Sequence, residues 1–131
     1  MAGETDLPTL LRTLRPSVRA DEYVYVTRAV PEAVDAAAMV VEAEGITYVV
    51  PRADADARGW AYDFVAGWIT LQVHSSLAAV GLTAAVSAAL TAEGISANVL
   101  AGHHHDHVLV PVDRVADALR ALARLAAPPA R

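Results

Sequence analysis

The sequence predicts an α+β fold built from ferredoxin-like material, and three observations predict it. Hydrophobic periodicity spells β-α-β-β-α over residues 64–125, one strand short of a β-α-β-β-α-β unit. Residues 22–50 carry strands of their own, and one of them is free to complete the second sheet. The chain has 131 residues, 55% of them hydrophobic, enough to bury one compact domain or two small halves sharing a core.

Asp6 is placed to cap a first helix, with Pro8 tolerated in its first turn. Leu7, Leu10, Leu11 and Leu14 recur at helical spacing until Pro16 stops the pattern. Glu22 to Arg28 is β-branched and aromatic and reads as a strand, broken by Pro31. Residues 36–43 fit helix by their alanines and strand by Met39, Val40 and Val41. The strand is preferred, because a turn at Glu44-Gly45 then leads into Ile46 to Val50. Residues 52–59 read as a short helix with Gly59 just past its end.

From Phe64 to His74, Ile69, Leu71 and Val73 alternate with Trp68, Thr70, Gln72 and His74, the mark of a half-buried strand. Trp68 on the second face suggests that a second sheet or a second chain covers it. Leu82, Ala85, Val86, Ala89 and Leu90 then form one helical stripe, ended by Gly94. Strands are expected at Ile95 to Ala101 and His107 to Val112. Asp113 is expected to cap a last helix that turns Val115, Ala116, Leu119, Leu122 and Ala123 inward, before a frayed tail at 128–131.

Composition narrows the function. A net charge of −5, with no basic patch, disfavours nucleic acid. The absence of cysteine excludes disulfides, thiolate metal sites and a cysteine nucleophile. No signal sequence or stretch of membrane-spanning length is visible, so a cytoplasmic location is expected. His74 beside Ser75 and Ser76 is not a catalytic pair, since neighbours on a strand point to opposite faces. No nucleophile elbow, P-loop or dinucleotide fingerprint is present, and no catalysis and no cofactor are expected.

The run from His74 to Gly102, with its Glu93-Gly94-Ile95-Ser96 step, resembles an ACT-domain signature such as those of aspartate kinase regulatory modules. Trp68-Ile69-Thr70-Leu71, His74-Ser75-Ser76-Leu77, Gly81-Leu82-Thr83-Ala84 and His104-His105-Asp106-His107 together resemble a small stand-alone bacterial family of ACT-like proteins. The resemblance implies two ACT-like halves sharing strands, 1–61 and 62–127, in an antiparallel sheet with helices on one face. It also implies a regulatory module that binds a small molecule, typically an amino acid, pairs as a homodimer and acts through a regulated protein partner. The alanine-lined helix 82–93 and the strand 64–74 are the expected dimer surfaces.

In such modules the ligand sits by the loop between the first strand and the first helix. His74, Ser75, Ser76, Gly81, Leu82 and Thr83 occupy that place, where N–H groups at a helix start favour a carboxylate. Asn98 and the loop residues His104, His105 and Asp106 are expected to close the same pocket. Turn capping by the serines and an unusual φ at Gly81 would explain these residues equally well without a ligand. Two alternatives stay open. His103, His105 and His107 share a face in an extended segment and could bind a divalent metal, although same-face residues lie roughly 6.6 Å apart and need a bend to converge. The other alternative is a ligand-free interaction scaffold.

Overall fold

The computed structural model describes residues 5–73 and 80–127. Asp6 opens α1 (Leu7–Thr13), its Oδ2 accepting from the Thr9 N–H at 3.1 Å. The chain continues through β1 (Pro16–Arg28), β2 (Ala38–Glu42), β3 (Gly45–Pro51), α2 (Arg52–Arg58) and β4 (Val65–Leu71). It then forms α3 (Leu82–Ala92), β5 (Asn98–Ala101), β6 (Asp106–Pro111), a 3₁₀ turn (Val112–Arg114) and α4 (Val115–Ala126). Among the described residues no helix is long and apolar enough to cross a membrane.

All six strands join one antiparallel sheet in the order β2-β3-β1-β4-β6-β5. The two central strands explain how the halves interlock. Beside β4, the set β2-β3-β1 becomes four strands wide; beside β1, so does β4-β6-β5. The strand that completes the second half is therefore β1, and the halves share β1 and β4.

Helices cover one face. Ile69, Leu71, Val108 and Val110 point into a core with Leu10, Leu14, Leu82, Val86, Leu90, Ala118 and Leu122, which joins α1, α3 and α4 to the second half. Val24, Val26, Tyr48 and Val50 lie on the same face of the first half, under Ala55 of α2 and Trp60. Register forces this: Val24 faces both Val50 and Val65, so they share a side. Gly67 lies there too, and a Cβ on it would stand 2.3 Å from Val115 Cγ2, so glycine lets α4 approach β4.

Among the described residues the opposite face has no helix. Tyr23, Val49, Ala66, Trp68 and Leu109 form its buried cluster, bordered by Tyr25, Phe64 and Leu100. Trp68 is only 2% exposed, yet among the described residues no second sheet covers it. Its cover is Arg19, whose guanidinium lies 4.0 Å from the indole centroid, together with the Tyr23 ring at 5.0 Å.

Several expectations change. Pro16 both ends the helical pattern and starts β1, which extends six residues before Glu22. The hairpin turn is Ala43-Glu44, since Glu42 pairs with Gly45. Gly45 has φ +142°, and a Cβ there would meet the Arg28 carbonyl oxygen at 2.8 Å. Asp113 does not cap α4: it falls inside the 3₁₀ turn that precedes the helix, and Arg114 takes the cap position without a side-chain bond. Arg114 instead bonds Asp117 and the Glu93 carbonyl. Ala116 and Ala123 are exposed, and the buried stripe of α4 runs through Ala118, Ala121 and Leu122. Strand β5 starts at Asn98 rather than Ile95, whose side chain joins the helix-side core.

Candidate functional site

The β5–β6 hairpin is short and closely tied. Ala101 pairs with Asp106, and the Gly102 N–H donates to the His105 carbonyl at 2.9 Å. A Cβ on Gly102 would meet that oxygen at 2.8 Å, so glycine makes the turn. His103 and His104 are exposed, with ring centroids 4.9 Å apart in edge contact.

His105 turns back toward β4. Its Nδ1 lies 3.4 Å from the Val73 carbonyl oxygen, which can only accept, so this geometry puts the proton on Nδ1. The histidine loop thus sits against the chain where it leaves β4. His107 points to the helix-free face instead. Its Nδ1 accepts from Trp68 Nε1 at 3.2 Å and lies 3.0 Å from Thr70 Oγ1, so neutral His107 carries its proton on Nε2.

Burial lowers the His107 pKa, and the nearby Arg19 and His105 lower it further, against a smaller opposing pull from Asp106. Burial also raises the Asp106 carboxyl, partly offset by His107. Two neighbouring groups thus have titrations displaced toward their neutral forms, a pattern common at functional sites. The metal arrangement gains no support: among the described residues no group of three His, Asp or Glu side chains is placed to hold an ion. His105 and His107 engage different partners, and His103 packs on His104.

Gly81 precedes α3 with φ +103°, and a Cβ on it would stand 2.9 Å from Leu7 of α1. This glycine therefore both supplies the backbone conformation and lets α1 pack closely. The Leu82 side chain is buried in the helix-side core, which leaves its backbone as its polar part, while Thr83 is exposed. His74, Ser75 and Ser76 lie outside the described residues. Asn98 is exposed on edge strand β5, paired with Leu109, on the helix-free face. It is separated from β4 by all of β6 and does not close around His105.

A second set of residues escaped sequence reasoning. The β1–β4 register shifts between Val18 and Glu22, so Arg19, Ala20 and Asp21 bulge from the ladder. Beside the bulge lies a cavity of about 260 Å³ lined by Arg19, Asp21, Tyr23, Asp35, Ala36, Ala37 and Pro51. The available signal was the polar and small run Arg19-Ala20-Asp21-Glu22, which interrupts an otherwise extended segment.

An ACT-domain family model matches residues 2–67, and a second ACT-domain model matches residues 63–124. The fold is similar to that of a Vibrio cholerae protein of unknown function, with 38% identity, a TM-score of 0.85, and 92% of this chain and 96% of that one covered. It is also similar to an Agrobacterium tumefaciens protein at 17% identity, TM-score 0.68, covering 86% of this chain and 89% of that one. The ligand-free regulatory subunit of aspartate kinase from Thermus thermophilus matches at 11% identity and TM-score 0.62, with 86% and 98% covered; at that identity the likeness is one of fold. No curated protein matches the sequence.

Proposed function

The chain belongs to the ACT-domain family, and on that premise we propose that it is a regulatory module that binds a small molecule, a free amino acid, without catalysing a reaction. Regulation then passes to a separate protein partner in the cytoplasm. The observation that carries this reading is the contact of His105 with Val73, which brings the histidine loop against the end of β4. The chain leaves β4 there toward His74, Ser75 and Ser76 and re-enters α3 at Gly81.

The first N–H groups of α3, from Leu82 and Thr83, have no partners within the helix and suit a carboxylate. His104, His105 and Asp106 supply the polar wall opposite. The halves divide at 61/62, and the ligand belongs to the second half. Asn98 takes no part in this arrangement.

A homodimer accompanies the reading, with strand β2 as its surface in place of the expected helix 82–93 and strand 64–74. Strand β4 is paired on both edges, by β1 and β6, and offers none to a second chain. Strand β2 is an edge, and Met39, Val40 and Val41 are 57%, 48% and 74% exposed on it. The nine-residue link 29–37 from β1 to β2 contains no helix, whereas α3 occupies the corresponding place in the second half. An apolar edge of this kind templates pairing unless something covers it.

Thermal denaturation of the full chain with a panel of amino acids, and with zinc and nickel, tests the reading. A ligand that binds the native state raises the melting temperature, by an increment equivalent to roughly 2.7 kcal/mol at 100-fold over Kd. One or a few amino acids are expected to raise it and the metals are not. A response to metals alone would reject the proposal.

A further inference from the structure

The geometry points to a second small-molecule site, at the β1 bulge, built for a zwitterion whose carboxylate meets Arg19 and whose ammonium group meets Asp21 and Asp35. It goes beyond the site proposed above, because it lies at the β1 bulge and uses none of that site's residues.

The argument starts from charge accounting. Two hollows flank the bulge and share Asp21 and Pro51. In the one toward α2, Arg52 is bonded to Glu22 at 3.0 Å and to the Tyr62 hydroxyl at 2.9 Å, and that hydroxyl donates to Asp56 at 2.7 Å. Its polar groups answer one another. In the other, the charged groups do not. Among the described residues Asp21 and Asp35 form no ion pair, and Arg19 has the Tyr23 hydroxyl at 3.4 Å and aromatic faces as its partners. A guanidinium, two carboxylates and a cavity of about 260 Å³ remain.

The cation in this cavity is held in place. Arg19 stacks on the Trp68 indole at 4.0 Å and lies 5.8 Å from the Tyr23 centroid, which fixes the plane of its fork. A guanidinium fixed in this way loses less freedom when it bonds a carboxylate. The two acidic residues lie on separate segments, Asp21 on the bulge and Asp35 on the link before β2, so an ammonium group between them would be approached from two sides. The volume lies just below the ordinary range for ligand pockets, about 300–1,000 Å³, which suits a small ligand such as an amino acid with a short side chain.

Trp68 also provides the reporter. Its indole N–H is bonded to His107 on one side and its ring is covered by Arg19 on the other. The chain's other tryptophan, Trp60, packs in the cluster under α2 on the opposite face. The test is an NMR titration of the two indole N–H signals of the full chain with L-alanine, with acetate and methylamine as half-ligands. L-alanine is expected to shift the Trp68 signal saturably and leave Trp60 in place, with each half-ligand roughly tenfold weaker or more. Asp21→Asn, at an exposed residue, and Arg19→Gln, read against its own ligand-free spectrum because it uncovers the Trp68 ring, are each expected to weaken L-alanine by roughly tenfold or more. His105→Ala is expected to leave this shift intact. Methylamine binding as well as L-alanine, full affinity in Arg19→Gln, or no Trp68 response at all would each overturn the site. A response lost in His105→Ala and kept in Arg19→Gln would leave the histidine-loop reading standing and remove this one.

Discussion

Trp68 Nε1 donates to His107 Nδ1 at 3.2 Å, across the ladder in which Thr70 pairs with His107. An imidazolium at this position would place an N–H where the indole already points one. The bond and burial therefore favour the same neutral form, consistent with the lowered His107 pKa.

The pH dependence of stability follows from the sign of that shift. Below the ordinary imidazole value of about 6.5 the unfolded chain takes up a proton that folded His107 resists, so stability falls as the pH drops. Asp106 acts in the opposite sense at the acid end, because its raised carboxyl takes up a proton more readily in the folded chain. Denaturant unfolding from about pH 7.5 to about pH 5.5 should show the decline, and His107→Gln should flatten it. Stability that held constant or rose over that interval would contradict the assignment.

Gly67 is expected to tolerate no side chain. Alanine there would drive its methyl into Val115 Cγ2, and overpacking of this kind costs about 1–3 kcal/mol. Adding Val115→Ala should recover much of the loss, because it removes the opposing methyl groups. Chemical denaturation of the single and double variants measures both; equal losses in the two would show that the clash is not the cause.

Strand β2 is expected to carry self-association. Val41→Lys places a charge on a residue that is 74% exposed, so it should leave the melting temperature within a few degrees of the parent. It should also shift sedimentation from dimer toward monomer. A dimer undisturbed by this change would move the interface elsewhere.

Much of the fold was legible because its signals are local. The stripe Leu82, Val86 and Leu90, the cap at Asp6, the β2–β3 hairpin and the alternation around Ile69 and Leu71 each depend on residues a few positions apart. What was hidden depends on residues far apart. The bulge at Arg19 to Asp21 breaks the strand period, so the start of β1 could not be read, nor could its pairing of Pro16 with Leu71. The expectation of a second sheet or a second chain over Trp68 arises because nothing in sequence shows that Arg19 lies over it. In α4, alanines occur on every face, and the choice of Ala118 and Ala121 over Ala116 and Ala123 is made by packing.

The candidate site was legible in part. The turn at Gly102 folds the histidine loop, and His105 meets the Val73 carbonyl where the chain leaves β4. The alternation that put His103, His105 and His107 on one face assumes an extended chain, and the turn removes that condition. The expectation for Asn98 needs its strand to lie beside β4, whereas β6 intervenes between them.

The central claim is that an amino acid binds where the histidine loop meets the end of β4. Calorimetric titration of the parent chain and of His105→Ala with the amino acid that most raises the melting temperature tests it most directly. The account predicts saturable binding to the parent, and an affinity reduced roughly tenfold or more in His105→Ala while that variant remains folded. Equal affinity in both proteins would contradict it.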